Sequence, residues 1–155
     1  MQVQLGMIGA GAVARGMYLP VIQRLAGDNV RLVAVADRDP ARAEALAQLT
    51  GARSYADHQL LLVQPGLDAV IVATPIGTHA AIALDALRAG KHVLLQKPMA
   101  TTLAEADALI AMAQQSGVVL QCEPGHRLHP FASQAGKDLA DGCIGDLCVI
   151  VARSA

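Results

Sequence analysis

The stretch VQLGMIGAGAVA, Val3–Ala14, decides the fold. Its first half is a short apolar run, which predicts a β-strand at Val3–Ile8 that is buried on both faces. Its second half carries Gly9 and Gly11 and leads into a helical pattern. A strand, a tight glycine turn and a helix in this order are typical of the first unit of a parallel α/β sheet.

Short apolar runs and helical stretches alternate along the rest of the chain. Four further strands are predicted at Arg31–Ala36, Asp68–Ala73, His92–Leu95 and Val118–Cys122. The helices between the strands are predicted at Ala12–Leu25, Pro40–Leu49, Thr78–Ala89 and Leu103–Gln115. This order predicts a doubly wound α/β fold, in which helices cover both faces of a parallel sheet (a Rossmann fold).

Residues at the predicted helix ends agree with this assignment. Asp39-Pro40 and Thr101-Thr102 precede helical stretches, where side-chain oxygens cap free amides and proline suits the first turn. Gly51 and Gly117 follow helical stretches, as helix-ending glycines do.

Composition excludes several classes of function. The net charge is −1 over 155 residues and no stretch concentrates Lys or Arg, so we expect neither nucleic acid nor a membrane as a partner. No apolar run approaches the roughly 20 residues that a membrane span needs. The three cysteines are odd in number and form no Cys-x-x-Cys pair, which indicates reduced thiols in a cytoplasmic protein.

The glycine turn suits the binding of a pyrophosphate. Gly9 permits the tight turn, Gly11 lets the backbone approach phosphate oxygens, and the small Ala14 permits close packing of helix on strand. The amides near Ala12 and Val13, at the start of the helix, supply donors and a partial positive charge. A tight turn that binds nothing has the same sequence.

Asp37 ends the second predicted strand, where a carboxylate can accept hydrogen bonds from the adenosine ribose. Its charge would repel a 2′-phosphate, which favours NAD, whereas Arg38 suits either a 2′-phosphate or the adenine ring, so NADP stays possible. Asp37 could instead cap the next helix, although Asp39 is better placed. Methyltransferases and flavin domains share these first two features.

Three later segments distinguish these classes. They are ATPIGTH at Ala73–His79, GKHVLLQKP at Gly90–Pro98 and PGHRLHP at Pro124–Pro130. Together with the glycine turn, they make the chain resemble the glucose–fructose oxidoreductase/inositol dehydrogenase (Gfo/Idh/MocA) family over essentially its whole length. The resemblance implies an NAD(P)-dependent oxidoreductase that acts on the CH–OH group of a sugar, polyol or related small molecule.

The resemblance also implies roles for individual residues. Gly9, Gly11 and Ala14 would hold the pyrophosphate, and Asp37 the adenosine ribose. Thr74, Pro75 and His79 would lie near the nicotinamide half of the cofactor. Lys97 would be the catalytic residue, which contacts the substrate and helps to move the hydroxyl proton, since an ammonium beside the carbinol oxygen stabilises a developing alkoxide. The bond from Lys97 to Pro98 is a candidate cis peptide.

The sequence departs from the family at Gln96, where the family usually has Glu. Gln96 keeps hydrogen-bonding capacity beside the cofactor but supplies no negative charge to Lys97. A catalytically inactive dinucleotide-binding module is therefore an alternative to an active enzyme.

The resemblance predicts two parts. Residues 1–124 would form the dinucleotide domain, and residues 125–155 a connecting helix and the first strand of an otherwise absent second α/β domain. That strand, predicted at Leu147–Ala152, would have an unpaired apolar edge, which favours self-association into a homo-oligomer. Because the second domain supplies much of the substrate pocket in the family, we expect little or no dehydrogenase activity from this chain alone.

Other polar residues receive plainer interpretations. Cys122, His126 and His129 lack a fourth ligand for a closed zinc site, so no metal is predicted. The family frame makes Glu123, Arg127 and His129 pocket candidates. His58 and His92 are interpreted as ordinary residues of a helix start and a strand.

Overall fold

The computed structural model describes residues 2–26, 29–123, 125, 129–149 and 151. The chain divides into two compact units, Met1–Glu123 and Pro124–Ala155.

The first unit is built on one six-stranded sheet, and every recorded strand pairing in it is parallel. Its strands are β1 Val3–Ile8, β2 Val30–Ala36, β3 Arg53–Tyr55, β4 Ala69–Val72, β5 His92–Leu95 and β6 Leu120–Cys122. Their spatial order is β3-β2-β1-β4-β5-β6. The chain builds outward in one direction from β1 to β3 and in the other from β4 to β6. The carboxyl ends of β1 and β4 therefore flank the crevice where such sheets bind ligands.

Helices connect successive strands. After β1 a π-helical turn, Ala14–Tyr18, continues into α1, and a 3-10 turn, Ile76–Thr78, precedes α4. The α-helices of this unit are α1 Leu19–Leu25, α2 Pro40–Thr50, α3 His58–Leu62, α4 His79–Arg88 and α5 Leu103–Ser116.

Two apolar clusters form the core, one on each face of the sheet. Leu5 and Met7 of β1 pack in the cluster that includes residues of α1 and α2. Ile8, which points to the opposite face of the same strand, packs in the cluster that includes residues of α3, α4 and α5. The near-continuous hydrophobicity of the strands reflects this burial on both faces, and the doubly wound fold is confirmed.

The helix ends follow the sequence signals. Asp39 accepts a hydrogen bond from the Ala41 amide and caps α2, with Pro40 in the first turn. Thr102 and Glu105 form a reciprocal capping box at the start of α5. Gly51 and Gly117 end α2 and α5 in the left-handed conformation that glycine adopts without strain.

Two elements differ from the sequence prediction. Strand β3 was not predicted, because it spans only three residues and carries no long apolar run, whereas α3 begins at His58, where the sequence predicts a helix start. The predicted helix Ala12–Leu25 contains the π-turn, in which one extra residue enters the helical ladder.

The second unit contains α6, Pro130–Ala140, none of whose residues is buried. The predicted strand Leu147–Ala152 is described only at residues 147–149 and 151, where the backbone forms no strand. This differs from the prediction because a strand gains its hydrogen bonds from a neighbouring strand, and every strand among the described residues belongs to the sheet of the first unit. Within the same described residues, no helix is both long and apolar enough to cross a membrane.

Candidate functional site

An open cleft of about 820 Å³ lies at the carboxyl ends of β1, β2 and β4, within the size range of small-molecule and cofactor sites. Its lining residues follow these strands or belong to the helices beside them: Ile8, Gly9, Gly11, Ala12, Val13, Ala36, Asp37, Arg38, Arg42, Ala56, Asp57, His58, Ala73, Thr74, Pro75, Thr78, Ala81 and Ile82. The glycine turn, the end of the second strand and the Thr74 segment are thus brought together around one space.

The two glycines of the turn have different surroundings. Gly9 has a φ of +96°, and a Cβ atom there would lie 2.7 Å from the carbonyl oxygen of Ala73. The fold itself therefore requires glycine at this position. A Cβ atom at Gly11 would meet no protein atom within 4 Å, so the protein's own packing does not require glycine there. The open space beside Gly11 faces the cleft and suits a ligand that approaches the backbone closely.

Asp37 joins the end of β2 to the glycine turn. Its Oδ2 atom accepts a hydrogen bond from the Ala10 amide at 2.7 Å, and its Oδ1 atom accepts one from the Asp39 amide at 2.9 Å. A carboxylate oxygen can accept a second bond, so Asp37 can hold the loop and still accept from ligand hydroxyls. Ala14, one turn further along, is fully buried and packs in the core rather than in the cleft.

The wall beyond Asp37 contains Arg38, which the sequence names as a cofactor candidate, and further charged residues that the sequence motifs do not single out. Arg38 is exposed, and the Arg42 guanidinium lies 3.1 Å from the Asp39 carboxylate. The His58 ring lies between two carboxylates, with Nε2 3.0 Å from Asp85 and Nδ1 3.4 Å from Asp57. His58 does begin a helix, as predicted, but it also lines the cleft. No short motif signals Arg42 or His58 as part of the cleft, because they are brought there by the packing of α2 and α3.

The opposite wall is formed after β4. The Thr78 hydroxyl lies 2.9 Å from the Thr74 hydroxyl and 2.8 Å from the Pro75 carbonyl oxygen. These contacts fix the segment between the strand and α4. Thr74 and Pro75 thus line the cleft in a defined conformation.

His79, Gln96 and Lys97 lie outside the set of residues that line the cleft. His79 is 1% exposed, and each of its ring nitrogens lies 2.8 Å from a carbonyl oxygen, that of Pro98 or that of Thr74. The family resemblance implies a position near the nicotinamide for His79, and the structure buries this side chain against the carbonyl oxygen of Thr74. Lys97 is exposed, and its bond to Pro98 is cis.

Gln96 connects Lys97 to the π-turn. Its side chain is 7% exposed, accepts a hydrogen bond from the Lys97 amide at 2.8 Å and donates one to the Tyr18 hydroxyl at 3.2 Å. Burial, followed by the nearby charges of Glu123 and Cys122, raises the pKa of Tyr18. The pKa of the Cys122 thiol is also raised, mainly by burial and then by Glu123. Where the resemblance implies Glu, the chain therefore has a neutral amide whose oxygen and nitrogen each have a hydrogen-bond partner.

The remaining candidates are separate residues whose surroundings differ. Glu123 is the last residue of the first unit, Arg127 lies outside the described residues, and His129 stacks on Phe131 with ring centroids 5.3 Å apart. His92 accepts a hydrogen bond from the Val119 amide. Where the structure describes the chain, no group of three or more His, Cys, Asp and Glu side chains is arranged to hold a metal ion.

A family model matches this architecture. Residues 3–123 match an oxidoreductase family with an NAD-binding Rossmann fold, GFO_IDH_MocA. The chain belongs to the Gfo/Idh/MocA family. The match covers the whole six-stranded sheet and the cleft, so the resemblance in the sequence is confirmed.

Several characterised members of the Gfo/Idh/MocA family are similar to this chain. A dTDP-3,4-didehydro-2,6-dideoxy-alpha-D-glucose 3-reductase from Streptomyces antibioticus is 37% identical over 147 residues, which are 94% of this chain and 44% of that protein. The 3-ketoreductase KijD10 from Actinomadura kijaniata, solved with NADP and TDP-benzene, is 32% identical with a TM-score of 0.85, over 94% of this chain and 44% of that one.

The WlbA dehydrogenase from Bordetella pertussis, solved with NADH and UDP-GlcNAcA, is 28% identical with a TM-score of 0.85, over 91% of this chain and 42% of that one. This chain therefore spans somewhat less than half the length of the relatives it matches.

The residues around the cleft fit a dinucleotide. The space beside Gly11 leaves room for a pyrophosphate, and the first amides of the helix that follows have no partner within the helix. Asp37 has acceptor capacity left for a ribose.

Proposed function

We propose that this chain binds NAD(P) in the cleft and forms the cofactor-binding part of an oxidoreductase that acts on the CH–OH group of a sugar, polyol or related molecule. The observation that carries the proposal is the open space beside Gly11, at the start of a helix and next to Asp37. Family membership supports it, because relatives are named as sugar reductases and dehydrogenases and were solved with NADP or NADH.

Each part of the cleft has a chemical task in this proposal. The amides at Gly11, Ala12 and Val13 bind the pyrophosphate with the partial positive charge of the helix start. Asp37 accepts hydrogen bonds from the adenosine ribose, with Arg38 beside it. Thr74 and Pro75 form the wall on the nicotinamide side. When bound, the nicotinamide supplies the hydride acceptor or donor.

Lys97 assists the transfer of the proton from the reacting hydroxyl. An ammonium group next to the carbinol oxygen stabilises the negative charge that develops as the hydroxyl loses its proton. Gln96 holds the backbone of this lysine through the Lys97 amide. A sugar attached to a nucleotide fits the class of substrate, since KijD10 and WlbA were solved with TDP-benzene and UDP-GlcNAcA.

A binding module without turnover is the second candidate. It is favoured by Gln96, whose side chain makes neutral hydrogen bonds to Tyr18 and Lys97 where the family usually has a carboxylate. Cofactor-linked turnover of a polyol or sugar that Lys97→Ala abolishes would decide for the enzyme. Binding of NADH without turnover of any such compound would decide for the module.

Fluorescence titration with NADH and NADPH tests cofactor binding. We expect saturable binding, tighter for NADH because the Asp37 carboxylate repels a 2′-phosphate. Asp37→Ala should weaken binding about tenfold or more, as expected when hydrogen bonds to a charged group are lost.

Asp68→Ala is the matched control for this titration. The Asp68 carboxylate also accepts a backbone hydrogen bond, from the Gln4 amide at 2.8 Å, but it lies at the opposite end of the sheet. Its removal should leave NADH affinity within about twofold of the parent value, a difference below about 0.5 kcal/mol. The absence of saturation at millimolar cofactor, or equal effects of the two substitutions, would rule out the proposed site.

A further inference from the structure

The buried residue His79 joins two turns that follow neighbouring strands of the sheet. Its Nε2 atom lies 2.8 Å from the carbonyl oxygen of Thr74, which follows β4 and lines the cleft. Its Nδ1 atom lies 2.8 Å from the carbonyl oxygen of Pro98, the residue directly after Lys97. One side chain therefore connects the proposed cofactor wall to the turn that carries the proposed catalytic lysine.

The hydrogen-bonding capacity of the ring constrains how it makes these contacts. A carbonyl oxygen can only accept, so each ring nitrogen has to donate in order to form its bond. A neutral imidazole has a single N–H group, and a doubly protonated ring has two. Both ring nitrogens of His79 lie 2.8 Å from a carbonyl oxygen, and the residue is 1% exposed, so both contacts are direct and shielded from solvent.

We propose that His79 is a positioning residue whose ring bridges the carbonyl oxygens of Thr74 and Pro98 and so fixes the Lys97–Pro98 turn relative to the Thr74 wall. The functional meaning of this link rests on the proposed dinucleotide-dependent reaction, because hydride and proton transfer require the cofactor and the lysine at a set separation. The link itself, a bridge between two backbone carbonyls, is testable without any cofactor.

Two substitutions separate the halves of the bridge. The side-chain amide nitrogen of Asn lies near the position of Nδ1, and that of Gln lies near the position of Nε2. His79→Asn should therefore keep the contact with Pro98 and lose the contact with Thr74. His79→Gln should do the reverse. Both variants lose the same ring packing, so each is the matched control of the other.

Backbone amide spectra of the full chain provide the readout. The chain has three lysines, Lys91, Lys97 and Lys137, and five threonines, Thr50, Thr74, Thr78, Thr101 and Thr102. Labelling these two residue types with ¹⁵N thus gives a spectrum with few signals. The Lys97 and Thr74 amides report on the two turns, and the amides far from His79 serve as internal references. We expect His79→Gln to shift the Lys97 amide and leave Thr74 near its parent position, and His79→Asn to shift Thr74 and leave Lys97.

This reciprocal pattern distinguishes positioning from a general structural role. Leu87→Ala, a cavity-forming substitution at a buried residue of the same helix, should move neither reporter selectively. Equal movement of both reporters in both His79 variants, or movement of neither, would overturn the proposal.

NADH titration of the same samples separates this proposal from the proposed function. His79→Asn should bind NADH about threefold to tenfold more weakly than His79→Gln, the range for one hydrogen bond on the cofactor side. A parent chain that binds no NADH would contradict the proposed function, while the reciprocal shifts of Lys97 and Thr74 would still test the bridge.

Discussion

The two glycines of the turn are needed for different reasons. At Gly9 the protein's own backbone leaves no room for a side chain, whereas at Gly11 a side chain would enter only the open cleft. Gly9→Ala would combine a φ of +96° with a Cβ atom 2.7 Å from the Ala73 oxygen. We expect it to lower the free energy of unfolding by about 3 kcal/mol or more, because strain at a special backbone position adds to a steric clash. Urea unfolding monitored by circular dichroism measures this loss.

Gly11→Ala should have the opposite profile. No protein atom lies within 4 Å of the added methyl group, so we expect the free energy of unfolding to stay within about 1 kcal/mol of the parent value, with a slight gain from the stiffer unfolded chain. NADH affinity should fall about tenfold or more, since the methyl group occupies space needed by the pyrophosphate.

Gly16→Ala is the control for both glycine variants. It is also surrounded by open space but does not line the cleft, and it should leave both stability and NADH binding nearly unchanged. A Gly11→Ala chain that binds NADH as the parent does would contradict the assignment of this space to the cofactor.

Single residues differ in how far the sequence reveals them. Asp37 is recognisable because it ends an apolar run at a fixed distance from the glycine turn. Arg42 and His58 line the same cleft, but the sequence indicates only that Arg42 lies in the helix predicted at Pro40–Leu49 and that His58 lies at a helix start. Their proximity to the glycine turn arises from packing of α2 and α3, which a linear pattern does not encode. The burial of His79 is hidden for the same reason.

Elements with a strong apolar pattern or explicit caps were predictable. β1 is predicted to the residue because its apolar run is bounded by a glycine turn, and the two-sided burial of the sheet explains the run. β3 was not predicted, because its exposed and half-buried residues Arg53–Tyr55 carry no apolar run and it pairs only with β2 at the sheet edge. The π-turn Ala14–Tyr18 likewise has no sequence signature that separates it from an α-helix.

The capping box of α5 has a measurable energetic role. Thr102 accepts a hydrogen bond from the Glu105 amide, while the Glu105 carboxylate accepts bonds from Thr101 and from the Thr102 amide. Thr102→Ala removes the capping oxygen and should lower the free energy of unfolding by about 0.5–2 kcal/mol. Urea unfolding at pH 7 measures the change.

The same box predicts a dependence on pH. Hydrogen bonds from Thr101, first from its side chain and then from its backbone, lower the pKa of Glu105. A lowered pKa in the folded state contributes stability above the ordinary glutamate value of about 4.3, and this contribution is lost as the pH falls through the lower folded value. Glu105→Gln should therefore be less stable than the parent at pH 7 and nearly equal to it at pH 2.

Asp107→Asn, an exposed carboxylate on the same helix, controls for the general loss of a negative charge from α5. It should show no comparable convergence between pH 7 and pH 2. Parallel pH profiles of the parent and Glu105→Gln would contradict the role assigned to the capping carboxylate.

At the scale of the whole molecule, the two units differ in how much core they contain. Every buried residue of the described chain lies within the first unit, and α6 of the second unit has none. A helix of 11 residues without a buried face is marginal in water, because most helix stability in proteins comes from packing. The family match over residues 3–123 also coincides with the part that holds the core.

Hydrogen exchange followed by mass spectrometry on the full chain tests this asymmetry. Amides of β1 and β4 should exchange only through global unfolding, whereas those of α6 should exchange with little protection. NADH at about 100 times its dissociation constant should add about 2.7 kcal/mol to the stability of the first unit, or about a hundredfold slower exchange of its core amides. The exchange of α6 should not change, and Gly11→Ala should abolish the effect of NADH. If α6 is protected as strongly as β1, or if NADH slows the exchange of both to the same extent, the two units unfold together. Amides that open only in a common global unfolding event gain equal protection from a bound ligand.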